Sequence, residues 1–246
     1  MSRRVLAIVP ARAGSKSIAL KNIQNFRGLP LFAHSILTAQ SSGADYVLVS
    51  TENALIAEIA VHYGAKVPFL RTPKLASDYT RDKEVMKECI TNLLSYEIFK
   101  PEIVLWLRPT YPLRNNDFVR KSLNDFIENN DSCMALSVRL AKETPFKMWK
   151  LDDAGYLARI IGDFRDDAHN SPRQLLPEIY KGDGNIDLMR VGCFFDSCIH
   201  KTFKVRPIFS PKGDATDIDY WNEFKEQDGS EKSRRFEVID SERKSS

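Results

Sequence analysis

The 246-residue chain has no CxxC pair: Cys89, Cys133, Cys193 and Cys198 are dispersed, and so are His34, His62, His169 and His200. A zinc site is therefore not expected, and reduced, mostly buried thiols are. No stretch reaches the roughly 18 apolar residues of a membrane helix, and the first apolar run is too short for the core of a secretory signal. The expectation is a soluble, cytoplasmic protein. Charge of one sign is not in surplus either. With 36 basic against 33 acidic residues, a general nucleic-acid binder is excluded, and any bound anion should be small and locally recognised. Neither GxxxxGK[ST] nor GxGxxG occurs, which removes the P-loop and the dinucleotide fingerprint. Internal repeats and low-complexity tracts are absent as well.

What is there is an alternation. Val5 to Val9 is a continuous apolar run suited to a strand covered on both faces, and Pro10 ends it. A helix with Pro30 in its first turn follows over 29–40, then a strand over 46–50. Thr51 can cap a helix over 55–63 that Gly64 stops. Val67–Arg71 reads as a short, non-central strand because of Pro68. The pattern continues as a helix over 81–96, a buried strand over 103–107, a helix through Ile127 capped by Asn115 or Asn116, and a strand over 133–138. This predicts an α/β fold with a mostly parallel sheet flanked by helices on both faces. Ligands of such sheets bind beyond the carboxyl ends of the strands.

The rhythm breaks over 140–182, a segment too long for an ordinary loop, which reads as a β-rich insertion, a lid or a dimerisation arm. Phe203 to Phe209 looks like a late strand, and a helix over about 220–227 precedes a polar tail. The domain expectation is residues 1–139 and 183–228 as one α/β domain, 140–182 as an embedded arm and 229–246 as the tail.

Two segments leave buried strands with charge. The first places Arg12, Lys16 and Lys21 around Gly14, with Ser15, Ser17 and Asn22 as neutral partners. Backbone donors and fixed positive charge together suit a triphosphate or similar polyanion, the alternative being a solvated basic loop. The second, Arg108 to Arg114, holds two prolines and two arginines in a stiff turn. Further on, Asp217 and Asp219 lie two apart, so an extended backbone turns both carboxylates to one side, where they can hold Mg²⁺. An N-cap with a surface acid is the competing reading. Arg173 offers a planar fork for a carboxylate, although on the residues alone a plain surface arginine is the favoured reading.

Taken in order, Ile8-Val-Pro-Ala-Arg-Ala-Gly-Ser-Lys16, Lys21-Asn22, Val49-Ser-Thr51, Val67 to Arg71, Leu75 to Asp78, Arg108 to Arg114, Pro145 to Lys147, Pro172 to Pro177 and Asp217-Ile-Asp219 resemble the acylneuraminate cytidylyltransferase family. The resemblance covers most of the chain and implies a Rossmann-like nucleotidyltransferase fold. It also implies a CTP- and Mg²⁺-dependent reaction that converts a sialic acid-like nonulosonic acid to its CMP-sugar with release of pyrophosphate. By motif, Arg12, Ser15, Lys16 and Lys21 would hold the CTP phosphates, and Asn22 and Arg71 would contact the nucleoside. Arg12 or Lys21 would neutralise the leaving pyrophosphate, and Asp217 and Asp219 would carry the metal. Arg173 would pair with the acceptor carboxylate, and Lys147 and Arg173 would serve a partner's site in a homodimer.

The chain departs from the family pattern at Ala13, Ser17, Leu20, Arg108, Tyr111 and Asp187. Arg108, where a glutamine facing the sugar is usual, and Asp187 could pair with each other or read an unusual substituent. A phosphonate, sugar phosphate or ketodeoxyoctonic acid acceptor is the alternative within nucleotidyl transfer. A catalytically silent nucleotide-binding relative is the alternative outside it.

Overall fold

The computed structural model describes residues 4–14, 18–161, 167–195, 204–211, 217, 218 and 220–228. Ser15, Lys16, Ser17, Cys198, Asp219 and the tail lie outside the described residues. In chain order the elements are β1 (Val5–Pro10), β2 (Asn25–Phe26), β3 (Leu29–Pro30), α1 (Leu31–Ser41), β4 (Tyr46–Ser50) and α2 (Ala54–His62). Then come α3 (Asp82–Ser95), β5 (Ile103–Trp106), α4 (Asn116–Glu128), β6 (Met134–Leu140), β7 (Trp149–Leu151) and β8 (Leu157–Arg159). The chain continues through β9 (Tyr180–Arg190), α5 (Val191–Phe195), β10 (Val205–Phe209) and α6 (Trp221–Asp228).

Six strands form one sheet in the order β10-β6-β9-β5-β1-β4. β1 runs parallel to both β4 and β5, with Ala7 opposite Val47 and Leu105, while β9 returns antiparallel to β5. The alternating side chains of β1 explain why it reads as an unbroken apolar run. Val5, Ala7 and Val9 face a core completed by Phe32 and Ile36 of α1, Ile56 of α2, and Val119, Leu123 and Phe126 of α4. Leu6 and Ile8 face the opposite core, with Val85, Cys89, Ile90 and Leu93 of α3 and Phe194 of α5. Each fully buried Leu or Ile contributes about 1.5–3 kcal/mol relative to exposure, so the sheet is held from both sides. No helix among the described residues is long and apolar enough to cross a membrane.

Local chemistry sets the element ends. Asn53, not Thr51, caps α2, since its Oδ1 accepts from the Ile56 amide at 3.1 Å. Thr51 Oγ1 instead accepts from the Asn53 amide. Asn115 caps α4 through the Phe118 amide. Val67 to Arg71 is not a strand: pairing stops at the Leu48–Lys66 bridge, because Pro68 cannot donate to a ladder. Cys133 and Cys193 form a disulfide, against the expectation of reduced thiols. The Arg190 amide donates to the Cys133 carbonyl, and the two Cα atoms lie 5.7 Å apart, within disulfide reach.

The chain divides into two units, residues 138–183 and the remainder. Within the smaller unit, β7 and β8 form an antiparallel hairpin, and Arg139 pairs with the covered Asp183 at 3.3 Å.

Cys89 is fully buried, and that burial pushes its thiol up from 9.0 to about 11, against a hydrogen bond with Ser50 and the charge of Arg71. A raised folded value gives stability that is complete below the unfolded value and lost as pH climbs through the folded one. Between pH 8 and 10.5 the chain should therefore lose about 2 kcal/mol that a Cys89→Ala variant does not. Urea midpoints at the two pH values check this.

Candidate active site

β1 ends where Pro10 supplies no donor, and the chain turns when the Ala11 amide donates to Ser50 O at 2.9 Å. Two further bonds hold the emerging loop: Ala13 N to Glu52 Oε1 at 2.7 Å and Asn22 Nδ2 to Arg12 O at 2.8 Å. Arg12 extends across the loop mouth, its Nη1 2.5 Å from Asp78 Oδ1 and within 3.4 Å of Ala76 O. Lys21 Nζ donates to Ile218 O at 3.0 Å. The Ile218 amide in turn donates to Thr110 O at 2.7 Å, so one short segment links both charged loops.

The second loop is fastened from below by Arg114. Its Nε donates to Asn185 O at 2.7 Å, Nη2 to Arg108 O at 2.8 Å, and Nη1 to Ser35 Oγ at 2.9 Å and to Tyr111 O. The guanidinium also lies 5.4 Å from the centroid of the fully buried Tyr111 ring. Burial pulls Arg114 down to about 9, which still leaves it charged at neutral pH. Beside it, Gly184 has φ +75°, and a Cβ there would meet Asp217 Oδ2 at 3.6 Å and Arg108 Cδ at 3.9 Å. Glycine thus provides a left-handed turn where β9 passes close to Asp217.

Between the loops lies a cavity of about 590 Å³ lined by Arg12, Gly14, Lys21, Asn22, Arg71, Asp78, Asp82, Arg108 and Asp217, among others. The two basic loops therefore share one rim beyond the sheet's carboxyl end. Arg71 is buried, with Nε donating to Ser50 Oγ at 2.9 Å and Nη2 to Ser50 O at 2.6 Å; burial lowers its pKa. Arg108 is bound by two carboxylates, Asp82 Oδ2 at 2.7 Å and Asp187 Oδ2 at 2.8 Å. Burial lowers the Arg108 pKa, but the two acids more than offset this and raise it. Burial raises that of Asp187, against the opposing charge of Arg108.

Of the residues anticipated from sequence, Arg12, Lys21, Asn22, Arg71, Arg108 and Asp217 line this cavity, and Asp187 stands behind Arg108. Ser15, Lys16 and Asp219 lie outside the described residues. Lys147 and Arg173 belong to the smaller unit. There Lys147 closes a short 3-10 turn, and Arg173 Nη2 donates to Ala141 O at 2.6 Å beside a hollow lined by Thr144, Leu176 and Pro177. Sequence reasoning missed Asp82 as a site residue, and it did not assign Asp78 or Arg114 a separate role. An acid in the first helical turn is accounted for by the helix dipole alone, so nothing in the sequence marked Asp82.

A polar, cation-bearing cavity beyond parallel strand ends, with carboxylates at its wall, marks an α/β protein built to hold a small charged ligand. The chain belongs to the cytidylyltransferase family, whose model matches residues 6–144, and within it to the acylneuraminate cytidylyltransferases. It is 33% identical to the CMP-N,N'-diacetyllegionaminic acid synthase of Legionella pneumophila over 74% of this chain and 76% of that one. It is 41% identical to the pseudaminic acid cytidylyltransferase of Campylobacter jejuni over 50% of this chain and 53% of that one. Among solved structures it resembles CMP:2-keto-3-deoxy-manno-octonic acid synthetase complexed with CTP, with TM-score 0.67 at 14% identity, covering 97% and 99% of the two chains. That likeness confirms the Rossmann-like nucleotidyltransferase fold.

Replacing Arg114 with leucine should cost at least ~3 kcal/mol, because the Arg108, Tyr111 and Asn185 carbonyls lose a charged donor together. A urea unfolding curve measures the loss.

Proposed function

We propose that the chain transfers the cytidylyl group of CTP to a sialic acid-like nonulosonic acid, forming the CMP-sugar and releasing pyrophosphate. The observation that carries this reading is the single cavity in which Arg12, Lys21, Asn22, Arg71 and Asp217 meet, in a chain of the cytidylyltransferase family. In the reaction an acceptor hydroxyl oxygen bonds to the α-phosphorus while the bond to the pyrophosphate oxygen breaks. Arg12 and Lys21 lie where they can neutralise the departing charge, a role for preorganised cations rather than for a covalent intermediate. Asn22 and Arg71 take the nucleoside side of the cavity.

The donor set fits Mg²⁺. Asp217 presents a hard carboxylate oxygen at the wall, and Mg²⁺ takes one or two carboxylates together with substrate phosphates and water. No group of three or more metal-ligating side chains occurs among the described residues, so Asp217, with Asp219, is the protein's proposed share. When bound, Mg²⁺ supplies charge neutralisation at the phosphate oxygens.

A homodimer in which Lys147 and Arg173 serve the partner's acceptor site belongs to the same proposal, with Arg173 pairing the acceptor carboxylate. The same proposal puts the reaction in the cytoplasm.

With CTP, Mg²⁺ and legionaminic, pseudaminic or sialic acid, the protein should release pyrophosphate stoichiometrically with a CMP-linked product seen by mass spectrometry. Lys21→Ala and Asp217→Asn should each lower kcat roughly 10²–10³-fold with the fold intact. Silence with all three acids would sink the reading. In sedimentation the protein should run at twice the 28.1 kDa chain mass, and a monomer would remove the shared-site part.

A further inference from the structure

Arg108 stands at the cavity wall, and its charge invites the expectation of an anionic acceptor group. Its environment reverses that. Nη1 is bound to Asp187 and Nη2 to Asp82, at 2.8 and 2.7 Å, so both ends of the guanidinium fork already meet carboxylates. Three charged side chains therefore form one row: Asp187 behind, with its side chain 10% exposed, Arg108 in the middle, and Asp82 in front at 47%. The row carries two negative charges against one positive. Arg114 adds a second positive charge behind the row and acts on Asp187, but it is buried and all its donors are taken by Ser35 and backbone carbonyls, so it offers no donor to the cavity.

Arg108 and Asp82 both face the cavity, and Asp82 is the more exposed of the two, at 47% against 29%. Asp82 is among the lining residues, together with Arg12, Asp78, Thr80, Arg108 and Thr110. Its only side-chain hydrogen bond among the described residues joins Oδ2 to Arg108, leaving Oδ1 to accept. An ionised carboxylate accepts only, so its partner must donate, and a cationic donor adds a Coulombic attraction that a neutral one lacks. A second anion on the acceptor would meet like charge, which disfavours phosphonate and sugar phosphate acceptors at this wall.

We propose that Asp82, held in place by the Arg108–Asp187 pair, is a specificity-determining residue that reads a cationic nitrogen substituent, an ammonium or amidinium, on the acceptor sugar acid. Asp82 does the recognition; Arg108 and Asp187 are positioning residues that orient it and keep its charge from being fully neutralised. The inference rests on the cytidylyl-transfer reading above, with the acceptor reaching the Arg108 end of this cavity.

The test compares N,N'-diacetyllegionaminic acid with the two mono-amino acids obtained by removing either acetyl group, using pyrophosphate release at saturating CTP and Mg²⁺. One mono-amino acid should be preferred over the diacetyl acid by roughly two- to fivefold in kcat/KM, the modest size reflecting a half-exposed carboxylate. Asp82→Asn, nearly isosteric and uncharged, should bring that ratio close to one while the KM for CTP changes less than about twofold. A purely structural role for Asp82 would lower all three rates together and leave the ratio standing, which overturns the inference. So does turnover of the diacetyl acid at or above the rate of both amino forms. Turnover without discrimination refutes this inference alone, whereas no turnover with any of the three removes it together with the reading beneath it.

Discussion

The site depends on a buried guanidinium. Arg114 is the point at which the turn after β5, helix α1 and strand β9 are tied together, through the carbonyls of Arg108, Tyr111 and Asn185 and the hydroxyl of Ser35. Burying a charge is costly unless its donors are satisfied. Here the carbonyls of a stiff, proline-rich turn supply the acceptors. Arg108 can therefore reach two carboxylates, and Thr110 can receive the Ile218 amide that sets Asp217 at the wall.

Around that anchor the cavity balances fixed charges against one another. Arg12 is paired with Asp78 and Arg108 with Asp82 and Asp187, and Lys21 is bound to a backbone carbonyl. Pairing holds long, flexible side chains in one geometry before any ligand arrives, which is the preorganisation that electrostatic stabilisation of a leaving phosphate requires. It also divides the cavity. Arg12 and Lys21 place cationic groups on the loop after β1, whereas at the Arg108 turn the one cavity-lining cation is met by two carboxylates.

Much of the scaffold was legible because its signals are local. The apolar run of β1, the spacing of Val85, Ile90 and Leu93 in α3, and the capping Asn115 each act within a few residues. The α2 cap was misplaced from Asn53 to Thr51 because both residue types can accept an amide, and only the backbone path decides which one does. The 67–71 segment has β-type residues, but tertiary pairing stops at Lys66. The Cys133–Cys193 pairing joins residues 60 apart, a separation over which spacing carries no information.

What the sequence determined by itself was the alternation that makes a two-sided sheet, the basic loop after β1 and the ordered motifs of a cytidylyltransferase. All of these are properties of consecutive residues and their periodicity. What only the tertiary structure decided was which charges meet. Arg108 and Asp187 are 79 positions apart, and whether such residues attract a ligand or each other depends on strands brought side by side. In sequence Asp82 is one of two acids in the first turn of α3, and only packing sets it against Arg108. Electrostatic pairing at 2.7 Å is a consequence of packing, and no local pattern encodes it.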